Sequence, residues 1–543
     1  MVTSKTLRCA PPLLFAAGLL SACGGQAPDA APAAAGTKLA ATVGTSAAAN
    51  TYAVVASGTL AGSAPDAAGI VSYKGIPYAA PPVGSLRWKS PQAAPHWAGI
   101  RDATQYGNTC WQGTAFGPVD NSKANEDCLF LNVWTGAKNM SERRPVMVWI
   151  HGGGFQFGTS GDPRWEGANL AKKGVIVVSI NYRLGVFGFL ARQDLDVESG
   201  NKSSGMYGLQ DQVAALQWVK NNITAFGGDP ANVTVFGESA GAHSVGILLA
   251  SPLAKGTFNK AIAESGAFWE TQKGIMKPHA AAMQIGSQLG AGLGVTTLAG
   301  LRNVAASQLM ADPTEPAYNP SVDGYVLPSD PYSRFAAGLQ NDVPLLAGIN
   351  ANEGTIFAAP VGIPSDTKEH FIAAATSAFG ANNINTFLQY YPATTDAQAK
   401  QSETLLAGDL IISSQTWKMQ NLQKQTGHAP VYSYYFSQTS AYNPLPIHVS
   451  EVPYVFQNLV PNGHGAPDAT DVAMANTMAS FWTNFAKTGT PNGAGLPNWP
   501  VYSGAGGQVM GLGAPLQAQT ETGTARFQFL NSFRTAGSLG FSF

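Results

Sequence analysis

The chain has 543 residues, 45% of them hydrophobic and only 12% charged, with a formal net charge of −1. That apolar content is enough for a sizeable core, and the near-neutral balance without a basic stripe argues against nucleic acid as a partner. Length alone would allow roughly two to four domains. No Pro/Ser-rich linker or charge run divides the sequence after residue 50, so one large folded unit is expected over 51–543.

Residues 1–23 read as an export signal. Lys5 and Arg8 supply the positive end, and 12–20 form an apolar stretch too short to span a bilayer. Leu20-Ser21-Ala22-Cys23 resembles the lipobox of bacterial lipoproteins. The resemblance implies that Cys23 is lipidated, becomes the first mature residue and attaches the protein to a membrane, with Gly24 compatible with the outer membrane. Ordinary secretion with cleavage nearby is the alternative. From 24 to 50 the composition is Ala/Gly/Pro-rich with almost no large apolar side chains, which predicts a flexible tether.

Of four cysteines, Cys9 and Cys23 belong to the signal region. Cys110 and Cys128 remain, and in an oxidising compartment they are expected to form one disulfide, worth about 3 kcal/mol by the loop-entropy model. Two thiols with no nearby histidine pair are too few ligands for a metal, so no metal site is expected. Residues 73–88 are too Pro-rich for a helix. Their Gly75-Ile76-Pro77-Tyr78 and Pro81-Pro82 run, with Glu126-Asp127-Cys128-Leu129-Phe130-Leu131-Asn132-Val133-Trp134 beyond it, resembles the type-B carboxylesterase (cholinesterase-like) family, in particular its bacterial para-nitrobenzyl-esterase-like members. The resemblance spans roughly residues 53–535. It implies an α/β-hydrolase fold, with a large central, mostly parallel mixed sheet, helices on both faces and a helical cap over the site. Cholinesterases place a choline-binding tryptophan in a longer disulfide loop. Here that loop holds only Trp111, beside Cys110, so no choline specificity is expected.

A strand over 146–150 leads into His151-Gly152-Gly153-Gly154-Phe155, similar to the HGGG-type oxyanion loop of this fold. Ester hydrolysis puts negative charge on the carbonyl oxygen, and backbone N–H groups must already face it. The resemblance assigns that task to Gly153, Gly154 and the N–H of Ala240. His151 precedes the elbow in the chain and reads as a loop-ordering residue. The continuous apolar run 175–180 predicts a strand buried on both faces. Apolar residues at helical spacing over 208–226 predict an amphipathic helix, stopped by Gly227-Gly228-Asp229-Pro230. Strand, helix, strand in that order implies right-handed βαβ crossovers.

Next comes Gly237-Glu238-Ser239-Ala240-Gly241, which fits the G-x-S-x-G nucleophile elbow. In a Gly-rich chain the pattern alone is weak. Its context carries it: a β-branched strand ends at Phe236, and small residues open a helix from Ala240 to Leu249. Ser239 is thus the expected nucleophile. A further strand begins at Lys260 and ends in Glu264-Ser265-Gly266, and Trp269 resembles a family position lining the acyl pocket. The poorly patterned, helical-looking text from about 271 to 341 is expected to belong to the cap.

The strand over 343–349 runs into Asn350-Ala351-Asn352-Glu353-Gly354, like the family's N-x-x-E-G segment that carries the triad acid. Glu353 is preferred to Asp323 and Asp409, neither of which follows a clear sheet strand. Among eight histidines, His448 alone combines a place after Glu353 with the family's H-x-x-E-x-x-x-x-F pattern, completed by Glu451 and Phe456. It is the expected base, whereas His243 is expected to pack or face solvent. Glu238, Ser265 and Glu451 match a second polar cluster of the family, whose expected role is to hold His448 by hydrogen bonds.

The order Ser239, Glu353, His448 is that of α/β-hydrolases. The expected activity is carboxylic ester hydrolysis through an acyl-enzyme, with a small-molecule ester as substrate and no cofactor. Amide hydrolysis and acyl transfer would use the same triad. The competing reading is a cholinesterase-like envelope lipoprotein that binds a ligand without turnover.

Overall fold

The β-branched and aliphatic runs become strands in the computed structural model, which describes residues 51–113, 119–267, 276–310 and 318–535. In chain order the first strands are β1 (Tyr52–Val55), β2 (Gly58–Ala61), β3 (Val71–Pro77), β4 (Ile100–Asp102) and β5 (Phe130–Thr135). There follow β6 (Arg144–Ile150), β7 (Ile176–Ile180), β8 (Gly228–Glu238), β9 (Lys260–Glu264), β10 (Lys277–Pro278) and β11 (Ser321–Val322). The last four are β12 (Leu345–Asn350), β13 (Val431–Phe436), β14 (Gln508–Leu512) and β15 (Gln517–Thr520).

Ten of these form one sheet in the order β15-β14-β13-β12-β9-β8-β6-β7-β5-β3. Neighbours from β14 through β7 pair parallel, while β15, β5 and β3 add antiparallel pairings at the edges. This is the mixed, mostly parallel sheet of an α/β-hydrolase. Alternate residues of its strands feed two separate cores. Val146, Val148 and Ile150 pack on one face with Leu209, Leu216 and Val245, while Met147 and Trp149 pack on the other with Phe456, Met478 and Phe481. Burial on both faces explains why these strands are continuously apolar rather than alternating.

Helices α1 (Tyr207–Asn222) and α2 (Ala240–Ala250) cover the first face. Helices α3 (Asp396–Gly408) and α4 (Ser414–Thr426) follow in the chain, then the short α5 (Val452–Phe456), the long α6 (Ala469–Thr488) and α7 (Thr524–Thr535). Residues of α5 and α6 build the second core. The amphipathic stretch expected over 208–226 is α1 followed by a 3-10 turn, Ile223–Phe226, closed by Gly227 at φ 80°. The expected cap is less helical than its composition suggests. Its described part holds short helices such as His279–Gly286, Leu298–Asn303 and Pro331–Ala336, together with a parallel β10–β11 pair. Eight or fewer residues per helix leave no room for the repeated apolar face that makes a long helix legible.

Cys110 and Cys128 are joined by a disulfide, with Cα atoms 5.0 Å apart. The tether, Cys23 and the signal lie outside the described residues. Among the described residues no helix is long and apolar enough to cross a membrane.

One close approach fixes the sheet where chemistry is expected. A Cβ on Gly237 would come 2.6 Å from the Ile150 carbonyl oxygen, and one on Gly241 would overlap that same oxygen. Helix α2 therefore crosses the end of β6 with backbone against backbone. Gly241→Ala is expected to destabilise the protein by about 3 kcal/mol or more, because neither element can retreat from the sheet; a thermal melt of the purified variant checks this.

Candidate active site

Strands β6, β8, β9 and β12 end side by side. Ile150 is paired with Gly237, Glu238 with Glu264, and Gly348 with Glu264. Chain reversal at this level places three loops together. Ser239, the first residue beyond β8, has φ 54° and ψ −121°, a conformation that costs a non-glycine residue about 1–3 kcal/mol. Two backbone bonds hold it there: Ser239 N–H donates to Glu264 O at 2.9 Å, and His243 N–H donates to Ser239 O at 2.8 Å. Ser239 remains partly exposed, whereas its neighbours Glu238 and Ala240 are buried.

The glycine loop leaves β6 directly against this elbow. A Cβ on Gly152 would meet Ser239 Cβ at 3.1 Å. Gly153 and Gly154 have φ of 103° and 59°, values open to glycine with little strain, and Ala240 opens α2. His151 is buried, stacks on Tyr182 with ring centroids 4.6 Å apart, and donates from Nδ1 to Gly152 O at 2.8 Å. Tyr182 Oη donates to His151 O at 2.9 Å. These contacts order the loop. Burial lowers the His151 pKa to about 4, which keeps the ring neutral.

Glu353 and His448, ninety-five positions apart, meet in the interior. His448 Nδ1 lies 2.6 Å from Glu353 Oε2, both side chains being 2% exposed, and Asn350 N–H donates to Glu353 Oε1 at 2.6 Å. The histidine loop is tied to the end of β12 by Asn350 Nδ2 donating to Ile447 O at 2.9 Å and Asn352 N–H donating to Pro446 O at 3.0 Å. Val449, next to the histidine, has φ 76°, a rare state for a β-branched residue. His448 Nε2 points toward the elbow: it lies 3.1 Å from Glu238 Oε1, one residue before Ser239. Among the described residues no hydrogen bond from Ser239 Oγ to Nε2 is formed, and such bonds commonly tighten only when substrate binds.

Residues 49–530 match the sequence profile of the carboxylesterase family. The chain belongs to that family. It is 36% identical over 459 residues to the fumonisin B1 esterase of Sphingopyxis macrogoltabida, covering 82% of this chain and 84% of that one. Against the para-nitrobenzyl esterase of Bacillus subtilis (strain 168) it is 38% identical over 463 residues, with 80% and 89% covered. The solved structure of Geobacillus stearothermophilus carboxylesterase EST55 superposes with a TM-score of 0.77 at 31% identity, over 88% of this chain and 99% of that one.

In this carboxylesterase the imidazole faces an unusual amount of buried acid. Glu238, Glu264, Glu353 and Glu451 are each 3% exposed or less. Burial alone would lower the His448 pKa, but Glu238 and Glu353 outweigh it and raise it to about 9. Burial raises Glu238 to about 8 against the pull of His448, and raises Glu451 to about 7 with help from Glu353. Ser265 and Glu451 are bonded differently from the sequence expectation. Ser265 Oγ donates to Glu451 Oε1 at 3.4 Å, and Asn350 Nδ2 donates to Glu451 Oε2. Neither residue hydrogen-bonds His448 among the described contacts; they fix the floor beneath it.

Asp323 caps the backbone of Val326 and Leu327 and accepts from Ser203 Oγ at 2.5 Å. Asp409 pairs with Arg526 and accepts from Tyr391 Oη at 2.8 Å. Both rival acids are thus engaged elsewhere. His243 is buried on α2, with its ring 6.3 Å from that of Phe155. Trp269 lies outside the described residues. A cavity of about 370 Å³ opens behind Glu353, lined by Asn350, Asp409, Trp417, Tyr434 and Arg526 among others. Among the described residues no cluster of His, Cys, Asp and Glu is placed to hold a metal.

The sequence reading passed over Glu264 and Asn350. Glu264-Ser265-Gly266 ends β9 as Glu238-Ser239-Ala240 ends β8, and Ser265 shares the left-handed conformation at φ 53°. The repeated Glu-Ser at two strand ends was the available signal.

An imidazole takes up a proton only when neutral, so an activity that uses His448 as its base is expected to rise with pH through the His448 titration. The facing carboxylates stabilise the imidazolium, so the acid limb of kcat/KM is expected above pH 6.5, the usual imidazole value. Glu238→Gln removes one of those anions, the imidazolium loses stabilisation, and the limb is expected to move down by about one unit. A pH–rate profile of both proteins decides it; an unmoved limb would mean that Glu238 is uncharged over the working range.

Proposed function

We propose that the chain is a serine carboxylic ester hydrolase that works through an acyl-enzyme on Ser239. The observation that carries this reading is the buried His448–Glu353 contact of 2.6 Å, with Nε2 of the same ring turned toward the strained serine elbow. Ser239 Oγ attacks the ester carbonyl as His448 Nε2 takes its proton. Glu353 holds the Nδ1–H tautomer and stabilises the imidazolium. Negative charge on the carbonyl oxygen is received by the N–H groups of Gly153, Gly154 and Ala240. The alcohol departs with the proton from His448, and water then releases the acid through the same base.

The substrate class is a small-molecule ester. Support comes from the two curated relatives above, both named as esterases, and from the fold match to a solved carboxylesterase. Trp269 is proposed to line the acyl pocket. Export with lipidation of Cys23 is proposed for the leader, which would attach the enzyme to a membrane surface through residues 24–50.

The test is hydrolysis of p-nitrophenyl acetate, butyrate and octanoate by the mature domain, with Ser239→Ala alongside and an organophosphonate label mapped by peptide mass. Wild-type turnover, a loss of at least about 10⁴-fold in the variant and a label on Ser239 are expected. A folded protein that neither turns over nor labels would sink the mechanism in favour of ligand binding without turnover. For the leader, Cys23→Ser is expected to move the protein from the membrane to the soluble fraction of the expressing cell.

A further inference from the structure

A row of side chains crosses the sheet immediately beneath the site. Glu238 on β8 is paired with Glu264 on β9, which is paired with Gly348 on β12, which is paired with Tyr434 on β13. Side chains in one row of a sheet point to one face, here the face packed by α5 and α6. Gly348 has no side chain, and a Cβ there would overlap the Tyr434 ring. The tyrosine therefore leans across β12 toward Glu264. From below, Trp482 of α6 donates from Nε1 to Glu264 Oε1 at 2.9 Å, and its ring packs 5.4 Å from that of Tyr434.

Glu264 is 0% exposed, and its Oε2 and the Tyr434 hydroxyl have no hydrogen-bond partner among the described residues. Four carboxyl groups share this interior with one imidazole, and the ion pairs formed by that imidazole go to Glu238 and Glu353. Glu451 is engaged by Ser265 and Asn350. Around Glu264 the facing groups are thus Glu238, Glu451, the neutral Tyr434 phenol and the Trp482 indole; none is a cation. An ionised carboxylate with one donor and a bare oxygen in such a place is far costlier than a neutral acid. Burial and the two neighbouring glutamates push its titration in the same direction.

We propose that Glu264 is a positioning residue that works as an uncharged carboxylic acid, holding the end of β9 through Trp482 while adding no negative charge toward His448. The end of β9 matters because the Glu264 carbonyl accepts the Ser239 N–H. The side chain anchors that carbonyl to α6. Its proton confines the field that tunes the base to Glu238, Glu353 and Glu451. A further anion there would raise the imidazole still higher.

This inference rests on the ester-hydrolase reading, and its test separates the two. Glu264→Gln keeps size, neutrality and the acceptor for Trp482, whereas Glu264→Leu keeps only size. Glu264→Gln is expected to hold kcat within about threefold of wild type and the acid limb of kcat/KM within about 0.3 unit. Glu264→Leu is expected to lose about tenfold or more in kcat with KM little changed, because the serine elbow loses its support while the substrate pocket does not. In the infrared difference spectrum of wild type against Glu264→Gln at neutral pH, a protonated carboxyl stretch is expected in the wild type. A carboxylate band in its place, or an acid limb that falls by about one unit in Glu264→Gln, overturns the proposal, since removal of a charge would then have been felt at the base. A fully active Glu264→Leu also overturns it. Should Glu264→Leu not fold, the infrared difference and the Gln profile decide alone. Should the wild type itself not turn over, the hydrolase reading fails, and the infrared band still reports whether Glu264 carries a proton.

Discussion

The whole site hangs on a hydrogen bond between neighbouring strand ends. Ser239 can hold a left-handed backbone only because its N–H is taken by Glu264 O on β9. Ser265, equally left-handed, donates its own N–H to Gly348 O on β12 at 2.9 Å. The strain at each elbow is thus supported by the next strand in the sheet. Parallel pairing makes this possible, since all these strands end at the same level and release their loops on the same edge. The glycine loop after Ile150, Ser239 after Glu238 and Glu353 after Asn350 are consequences of that shared edge. No single loop builds the site; the register between β6, β8, β9 and β12 does.

Electrostatics follow from the same geometry. Strand ends that point one way bring Glu238 and Glu264 side by side, and the histidine loop, tied to β12 by Asn350 and Asn352, adds Glu451. Four buried carboxyls near one imidazole cannot all be ionised, because each unpaired anion in an apolar interior carries a desolvation cost of several kcal/mol. Their titrations must therefore spread. Burial and repulsion push Glu238, Glu264 and Glu451 upward. His448 is tuned by how many of its neighbours hold protons, which is a property of the cluster rather than of any one residue.

Much of this was legible in the sequence for a physical reason. Strands buried on two faces must be apolar throughout, so 146–150 and 175–180 stood out, and they end where β6 and β7 end. Elbow and oxyanion loop were visible because a backbone crossing without side chains requires glycine at fixed offsets. His448 and Glu353 were reachable only through resemblance, since a lone histidine or loop glutamate has no local pattern. The cap showed little pattern because helices of eight residues or fewer have no periodicity to read. Glu264 was missed for another reason. A charged residue at the end of an apolar strand reads as the point where the strand reaches water, and nothing local says that a second layer of helix will bury it.

Glu353 shows how far support can lie from what it supports. A Cβ on Gly354, beside Glu353, would overlap Thr404 O in α3, and one on Gly408 at the end of α3 would come 2.6 Å from Gly354 N. Two glycines fifty-four positions apart thus let α3 press its backbone against the turn that carries the carboxylate. The turn cannot swing outward without pushing a helix whose Leu406 and Ala407 are fully buried in a third core with Phe371, Phe387 and Leu530. That core, drawn from a stretch whose sequence offers no site motif, is what stops Glu353 from retreating from His448. Helix α3 packs against the turn that carries Glu353, whose Oε2 lies 2.6 Å from His448 Nδ1. The stretch is therefore a buttress, and its glycines are as constrained as those of the elbow.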